Sequence, residues 1–186
     1  FVRHPDAQQA GLSLGHVAAI RIYSTAAFRS LNAPLRDPTR YERRDAHPFP
    51  VTVKLISEAA SNLRAAAAHT PTGEDHLTLF RGLKNVSLGD EFWQRGGTEL
   101  APMSATHDPR VAVQYATGRH SVVMRINTRN FLDRGADISF LSCWPAEQES
   151  LYPPLTYLRR DLTSGTPGDG STIEVAGASF RVVDVV

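Results

Sequence analysis

Two glutamates, Glu147 and Glu149, lie two positions apart in the segment EQESLYPP, and their type and spacing point directly to chemistry. In a strand, side chains at i and i+2 share a face, with Cα atoms about 7 Å apart, so both carboxylates would project into the same space. Most Glu-x-Glu pairs lie on a solvated strand edge. The apolar run ISFLSCW before the pair, Leu151 on the same face and the rigid Pro153-Pro154 after it favour a functional interpretation.

A pair of carboxylates at this spacing suits glycosyl transfer. One carboxylate stabilises a cationic, oxocarbenium-like sugar, and the other orients or deprotonates the acceptor. Arg81, near the end of a predicted strand, has the planar fork that binds phosphate or pyrophosphate, although a surface ion pair is the alternative. The hydroxyl of Ser104 could orient the sugar or the acceptor by a hydrogen bond; the alternative is an ordinary strand hydroxyl without a role in the chemistry.

The elements that position these residues divide the chain into a helical part, about 12–70, and a sheet part, about 75–186. Apolar residues at helical spacing predict one amphipathic helix over 16–32 and another over 51–66, with a connector over 32–50 between them. The segment TPTG at 70–73 is expected to end the second helix.

In the sheet part the apolar period changes to two. A strand is predicted over 76–81, which Gly82 is expected to end, and another over 101–106 places Ser104 and Thr106 on one side. Asp108 as N-cap, Pro109 at the first helical position and Gly118 beyond the end frame a short helix. Further strands are predicted over 121–126, 138–142 and 147–152, with a closing hairpin of 172–175 and 180–185 and a loop over 163–171.

Helices followed by mostly non-alternating strands predict an α+β fold with antiparallel or mixed sheets. A length of 186 residues suits a single domain, 1–186, and we expect it to belong to a longer protein. The 20 Lys and Arg nearly balance the 19 Asp and Glu, which disfavours a nucleic-acid partner. We also expect no membrane-spanning segment, and no metal, because the histidines and the lone Cys143 lack zinc-site spacing.

The order of the motifs resembles that of arginine-specific mono-ADP-ribosyltransferases. An arginine in LFRG, a Ser-x-Thr in GGTELAPMSAT and a Glu-x-Glu in FLSCWPAEQESLYPP match the Arg, Ser-x-Ser/Thr and Glu-x-Glu signature of that family. The middle residue of the serine motif, Ala105, stands where a hydroxyl is frequent in relatives. Upstream, AAIRIYSTAAFRSLNAPLR is similar to the family's N-terminal helix with its tyrosine and its Asn-x-x-Leu-Arg ending, so the resemblance covers nearly the whole chain.

The resemblance implies N-terminal helices and two small, packed, mostly antiparallel sheets around an NAD cleft, with NAD as substrate. By position, Arg81 would bind the NAD phosphates and the backbone of Gly82 would approach the nicotinamide amide. Ser104 would position the ribose or the catalytic glutamate, and Thr106 completes the motif on the NAD side. Glu149 would hydrogen-bond the ribose 2'-hydroxyl and favour the oxocarbenium state.

The acceptor side would be formed by Glu147, which engages a guanidinium, and Trp144, which either stacks on that group or covers the core edge as a turn aromatic. The expected activity is therefore mono-ADP-ribosylation, a glycosyl transfer from NAD to a protein arginine or a small guanidine compound with release of nicotinamide. Two alternatives stay open: an NAD glycohydrolase with water as acceptor, and a catalytically silent domain that binds a nucleotide or a protein.

Overall fold

The computed structural model describes residues 1–68, 76–130, 133–163, 171–175 and 177–186. These residues form two compact units. The first unit takes in 1–68, 99–103 and 135–156, and the second takes in the remaining described residues.

Helices dominate the first unit. Its helices are α1 (Pro5–Gln9), α2 (Leu14–Tyr23), α3 (Phe28–Arg36), α4 (Pro38–Arg43) and α5 (Pro50–Ala68). Ser13 caps α2 by accepting a hydrogen bond from the backbone N–H of His16, and Asp37 caps α4 in the same way through Thr39. The prediction of a helical N-terminal third is thus confirmed, whereas the expected end of the second helix at 70–73 lies outside the described residues.

The predicted helix over 16–32 is wrong in its continuity, because it is broken into α2 and α3. The helix ends before Ser24 and Thr25. Their hydroxyls donate to the carbonyls of Arg21 and Ile22, at 3.0 and 2.7 Å. Such local side-chain bonds compete with the helix and favour a turn. The connector expected over 32–50 is likewise largely helical, since α3 extends to Arg36 and α4 follows it.

The core of the first unit lies where α5 packs against α1 and α2. Ile56, Ala59, Ala60 and Leu63 of α5 are buried there at helical spacing. Two short strands of the sheet part complete the unit: β5 (Ala136–Asp137) pairs antiparallel with β6 (Glu149–Tyr152), so that Ala136 faces Leu151.

The second unit is built on a mixed, mostly antiparallel sheet. Its strands are β1 (Thr78–Lys84), β3 (Met103–Thr106), β4 (Ser121–Asn127), β8 (Ser171–Val175) and β9 (Ala178–Val185). β1 pairs antiparallel with both β3 and β4, β4 pairs parallel with β9, and β9 pairs antiparallel with β8. Short strands β2 (Gly97–Glu99) and β7 (Thr156–Leu158) pair with each other. The α+β class, β4 and the closing hairpin are confirmed.

Helix α7 (Pro109–Ala116) packs across β1, and Asp108 caps it as predicted by accepting from the backbone N–H of Arg110 at 2.9 Å. Gly82 does not end its strand, contrary to the expectation, because β1 continues to Lys84. A Cβ at position 82 would instead meet the main chain of α7, at 2.7 Å from the nitrogen of Ala116. Glycine is therefore required here by the close approach of helix and strand.

A short helix, α6 (Asp90–Arg95), precedes β2 in the second unit and carries Trp93. The indole of Trp93 donates to the carbonyl of Leu88 at 3.2 Å and stands edge to face against Phe92, so it packs locally. Among the described residues, no helix is both long and apolar enough to cross a bilayer.

Candidate active site

Arg81 lies in the middle of β1, where strand pairing fixes its main chain. It faces Met124 of β4, and its Nη1 donates a hydrogen bond to the main-chain oxygen of Ser104 on β3 at 2.7 Å. Both residues are half-buried. The bond to β3 sets the direction of the guanidinium plane, and a planar, oriented fork is the group that binds pyrophosphate through paired hydrogen bonds.

The Ser-x-Thr pair lies on β3, which begins at Met103, two residues later than predicted. Met103 and Ala105 are buried on one face of this strand, which leaves Ser104 and Thr106 to share the other by strand alternation. The hydroxyl of Thr106 accepts a hydrogen bond from the backbone N–H of Asp108 at 3.0 Å. Thr106 thereby holds the turn that leads into α7.

Glu149 is the first residue of β6 and is only 9% exposed. Its Oε2 accepts a hydrogen bond from the hydroxyl of Ser142 at 3.1 Å, and its main-chain oxygen accepts one from the N–H of Ile138 at 3.0 Å. Burial of a carboxylate is unfavourable without such partners. The side chain is consequently held from the turn that precedes it in sequence.

Glu147 does not share a strand with Glu149, and the expectation of two carboxylates on one strand face is wrong. Residues Pro145–Glu147 form a single turn of 3-10 helix, and Gln148 follows in the left-handed region at φ 47°. The strand period therefore begins only at Glu149. The run 138–142 is also a turn rather than a strand, because Leu141 and Ser142 both donate their N–H groups to the carbonyl of Ile138, at 2.8 Å.

Trp144 is the N-cap residue of the 3-10 turn, and its carbonyl accepts the N–H of Glu147 at 2.9 Å. Trp144 is 61% exposed, which favours the acceptor interpretation over a role in covering the core edge. A large exposed aromatic face and a half-buried carboxylate thus belong to one short turn. That combination suits a planar cation, which stacks on the ring and pairs with the carboxylate.

Sequence reasoning missed the residues that anchor the segment 141–143, which leads into this 3-10 turn. Arg21 at the end of α2 donates to the carbonyl of Leu141 at 3.1 Å, and the hydroxyl of Ser24 accepts the N–H of Cys143 at 2.9 Å. Ser142 was not singled out either, because the interpretation of 138–142 as a strand concealed its hydroxyl. A serine two residues before the aromatic residue of the turn is the local signal that sequence reasoning could have used.

The tyrosine and asparagine of the N-terminal segment meet at one carbonyl. Tyr23 of α2 and Asn32 of α3 both donate to the oxygen of Pro102, at 3.0 and 3.2 Å. Arg36, the last residue of α3, forms a bidentate ion pair with Glu99 at 2.8 and 2.9 Å. These bonds fix the chain immediately before β3.

The predicted site residues are divided between the units. The second unit holds Arg81, Gly82, Ser104 and Thr106, and it brings Arg81 into contact with Ser104. The first unit holds Trp144, Glu147 and Glu149, and it places Trp144 and Glu147 on one turn directly before the strand of Glu149. His107 and His120 are both exposed and belong to neither set.

A partly buried ion pair links β4 and β9 in the second unit. Asp184, 1% exposed, pairs with Arg125, which lies opposite it on the neighbouring parallel strand, through two N–H···O bonds, one of them 2.7 Å long. The hydrogen bonds and charge of Asp184 raise the pKa of Arg125 despite its partial burial. Arg125 therefore stays protonated over the whole range in which the protein is folded.

Asp161 is a second buried carboxylate in this unit, 7% exposed. Burial acts to raise the pKa of Asp161, but hydrogen bonds from Thr163 and Asn127 and the charge of Arg129 outweigh it and hold that pKa below the usual 3.8. At the start of α7, hydrogen bonds from Arg110 likewise lower the pKa of Asp108.

Helices followed by this mixed, mostly antiparallel sheet form an ADP-ribosyltransferase-like fold, which confirms the fold expected from the motifs. At the level of sequence, no protein-family model and no curated protein matches the chain. The likeness is therefore one of structure.

Three solved structures illustrate this likeness. The ADP-ribosyltransferase HopU1 of Pseudomonas syringae pv. tomato matches with a TM-score of 0.64 at 18% identity, over 100% of this chain and 81% of its own. The Vis toxin, an ADP-ribosyltransferase from Vibrio splendidus, matches with 0.62 at 15%, over 96% of this chain and 76% of its own; Vis has also been solved with agmatine. Exoenzyme S from Pseudomonas aeruginosa, solved with human 14-3-3 protein beta and carba-NAD, matches with a TM-score of 0.57 at 21% identity, over 98% of this chain and 82% of its own.

Proposed function

We propose that this chain is an NAD-dependent mono-ADP-ribosyltransferase that transfers ADP-ribose to the guanidinium of a protein arginine or a small guanidine compound. The observation that carries the proposal is the pairing of an ADP-ribosyltransferase-like fold with the ordered Arg, Ser-x-Thr and Glu-x-Glu residues. The buried, hydrogen-bonded state of Glu149 adds support, since a buried ionisable group at a position that carries the motif is a candidate for a functional role.

In this proposal the NAD side is served by Arg81, Gly82, Ser104, Thr106 and Glu149. Arg81 binds the phosphates, Ser104 and Thr106 supply the hydroxyl face of β3, and the main chain of Gly82 lies at the nicotinamide amide. Glu149 accepts a hydrogen bond from the ribose 2'-hydroxyl, and its negative charge favours the cationic ribose of the transition state. The bond between ribose C1' and the nicotinamide nitrogen breaks, and its electron pair leaves with neutral nicotinamide.

The acceptor side is served by Trp144 and Glu147. A guanidinium has a pKa above about 12 and is a poor nucleophile while it is protonated. Glu147 orients the group and accepts its proton late, when the cationic C1' already draws on the nitrogen lone pair that forms the new bond. The face of Trp144 holds the guanidinium plane by cation–π contact.

The test measures free ADP-ribose and ADP-ribosyl-agmatine in one reaction with labelled NAD and agmatine. We expect Glu147→Gln to lose about 100-fold or more of agmatine transfer while it retains NAD hydrolysis, because only proton removal and orientation are lost. Glu149→Gln is expected to lose both products by a similar factor. Glu174→Gln, at an exposed position on β8, is the matched control and should keep both rates.

Each other outcome has a definite meaning. Free ADP-ribose as the sole product of the wild-type protein would identify an NAD glycohydrolase. NAD binding without nicotinamide release would identify a silent binding domain. Wild-type transfer by Glu147→Gln would refute the assigned division of roles.

A further inference from the structure

The carboxylate of Glu149 and the hydroxyl of Ser142 form a buried hydrogen bond that the proposed reaction does not by itself require. Ser142 is 5% exposed and Glu149 is 9% exposed, and their oxygens lie 3.1 Å apart. They are seven positions apart in the chain, and the turn that carries Trp144 and Glu147 lies between them. The bond therefore links the two ends of that turn.

A second contact determines which way the Ser142 proton points. The backbone N–H of Trp144 donates to the oxygen of Ser142 at 3.0 Å. A hydroxyl has one proton and two lone pairs, and an ionised carboxylate only accepts. With one lone pair occupied by Trp144, the proton of Ser142 is directed to Oε2 of Glu149.

Main-chain bonds close this arrangement into a ring. The N–H of Ser142 donates to the carbonyl of Ile138 at 2.8 Å, and the N–H of Ile138 donates to the carbonyl of Glu149 at 3.0 Å. The hydroxyl of Ser142 then returns to the side chain of Glu149. The main chain and the side chain of Glu149 are thus both hydrogen-bonded to the turn at 138–142.

Helix α2 and its C-cap residue, Ser24, hydrogen-bond the residues on either side of Ser142. Arg21 holds the carbonyl of Leu141 at 3.1 Å, and Ser24 holds the N–H of Cys143 at 2.9 Å. The hydroxyl is consequently presented from a backbone that is fixed before and after it. A carboxylate restrained in this way loses little side-chain freedom when it acts, which is what preorganised catalysis needs.

We propose that Ser142 is a positioning residue for the catalytic glutamate and that it couples the acceptor turn of Trp144 and Glu147 to Glu149. The proposal rests on the proposed role of Glu149. It assigns to Ser142 the orientation of the carboxylate, not contact with either substrate. Loss of the hydroxyl should therefore lower kcat and leave the KM for NAD nearly unchanged.

Kinetics of nicotinamide release test this assignment with three variants. A hydrogen bond to a charged group supports a fall in kcat on the order of tenfold or more for Ser142→Ala. Ser142→Thr keeps the hydroxyl and should restore most of the rate. Ser150→Ala, a matched control because Ser150 is also 5% exposed and neighbours Glu149 on β6, should stay within about twofold of wild type.

Positioning and a general structural role differ in two readouts. In a Glu149→Gln background, Ser142→Ala should cause no further fall in kcat, because the carboxylate through which Ser142 acts is already absent. Equal losses in both backgrounds, equal losses in Ser142→Ala and Ser142→Thr, or an unchanged kcat in Ser142→Ala would each overturn the proposal.

Crystal structures of the wild-type protein and Ser142→Ala provide a readout that does not depend on activity. If the wild-type protein fails to cleave NAD, the proposed function fails, and these structures still decide the positioning role. We expect the Glu149 carboxylate to leave its place or to occupy several rotamers in Ser142→Ala. A carboxylate that remains in its wild-type position would overturn the proposal.

Discussion

Gly82→Ala is the substitution for which the structure gives the most definite expectation. The new Cβ would lie 2.7 Å from the nitrogen of Ala116 and 2.9 Å from the carbonyl carbon of Ala112, and closer still to the carbonyl oxygen of Ala112. Real Cβ atoms essentially never approach other atoms within 3.0 Å. All three partners are main-chain atoms of α7, so no rotamer change relieves the contact.

The size of the effect follows from what must move. Helix α7 has to withdraw from β1, and with it the buried Ala112 and Ala116, which pack against Val123 and Phe180. Overpacking of this kind costs about 1–3 kcal/mol, and a rigid main-chain partner places Gly82→Ala at the upper end. For a chain of this length, about 3 kcal/mol lowers the melting temperature by roughly 6–12 °C.

Thermal unfolding of Gly82→Ala should be compared with that of Gly15→Ala. Gly15 lies in α2, and a Cβ there would make only an ordinary contact of 3.5 Å with Leu55. The same substitution in the first turn of α2 should therefore leave the stability unchanged or raise it by at most about 0.5–1 kcal/mol through helix propensity. A melting temperature for Gly82→Ala equal to or above that of wild type would refute the reasoning, because the helix would then have accommodated the methyl group.

Two buried carboxylates of the second unit yield further predictions. Arg125→Met should lower the free energy of unfolding in urea by about 3 kcal/mol, because it leaves the carboxylate of Asp184 buried without its cation. The control Arg181→Met, at an exposed position of β9, should change that free energy little. Asp161→Asn should cost about 1–2 kcal/mol at pH 7 through its weakened hydrogen bonds. Since the folded state lowers the pKa of Asp161, its stabilisation is present above the unfolded value near 3.8 and is lost as pH falls through the folded value. A wild-type advantage over Asp161→Asn that persisted unchanged at pH 2 would contradict this linkage.

Sequence predicted best the elements whose signals are local. Asp108 and Pro109 predicted the start of α7, and the alternation on both sides of Gly177 predicted the closing hairpin. The class of fold followed from the order of helices and strands. Each of these needs only neighbours in the chain.

Elements that depend on distant contacts were predicted less well. Gly82 looked like a strand end, but the partner that requires it, α7, lies about thirty residues further along the chain. The turn at 138–142 looked like a strand, because its apolar residues Ile138 and Leu141 are buried in a core formed mainly by the N-terminal helices. Sequence suggested the two glutamates as site residues, which stays a prediction, whereas Ser142, Arg21 and Ser24 became visible only through tertiary hydrogen bonds.

The geometry of the Glu-x-Glu segment gives the two carboxylates different settings. On one strand, two unshielded carboxylates would repel each other and be anchored alike. The left-handed Gln148 instead separates a 3-10 turn, which carries Glu147 and the exposed Trp144, from the buried start of β6, which carries Glu149. Under the proposed function, the group that meets the acceptor then lies on a turn, and the group that meets the ribose lies in a hydrogen-bonded strand. Changes to the turn should therefore alter acceptor choice with little effect on NAD cleavage, provided that Ser142 still holds Glu149.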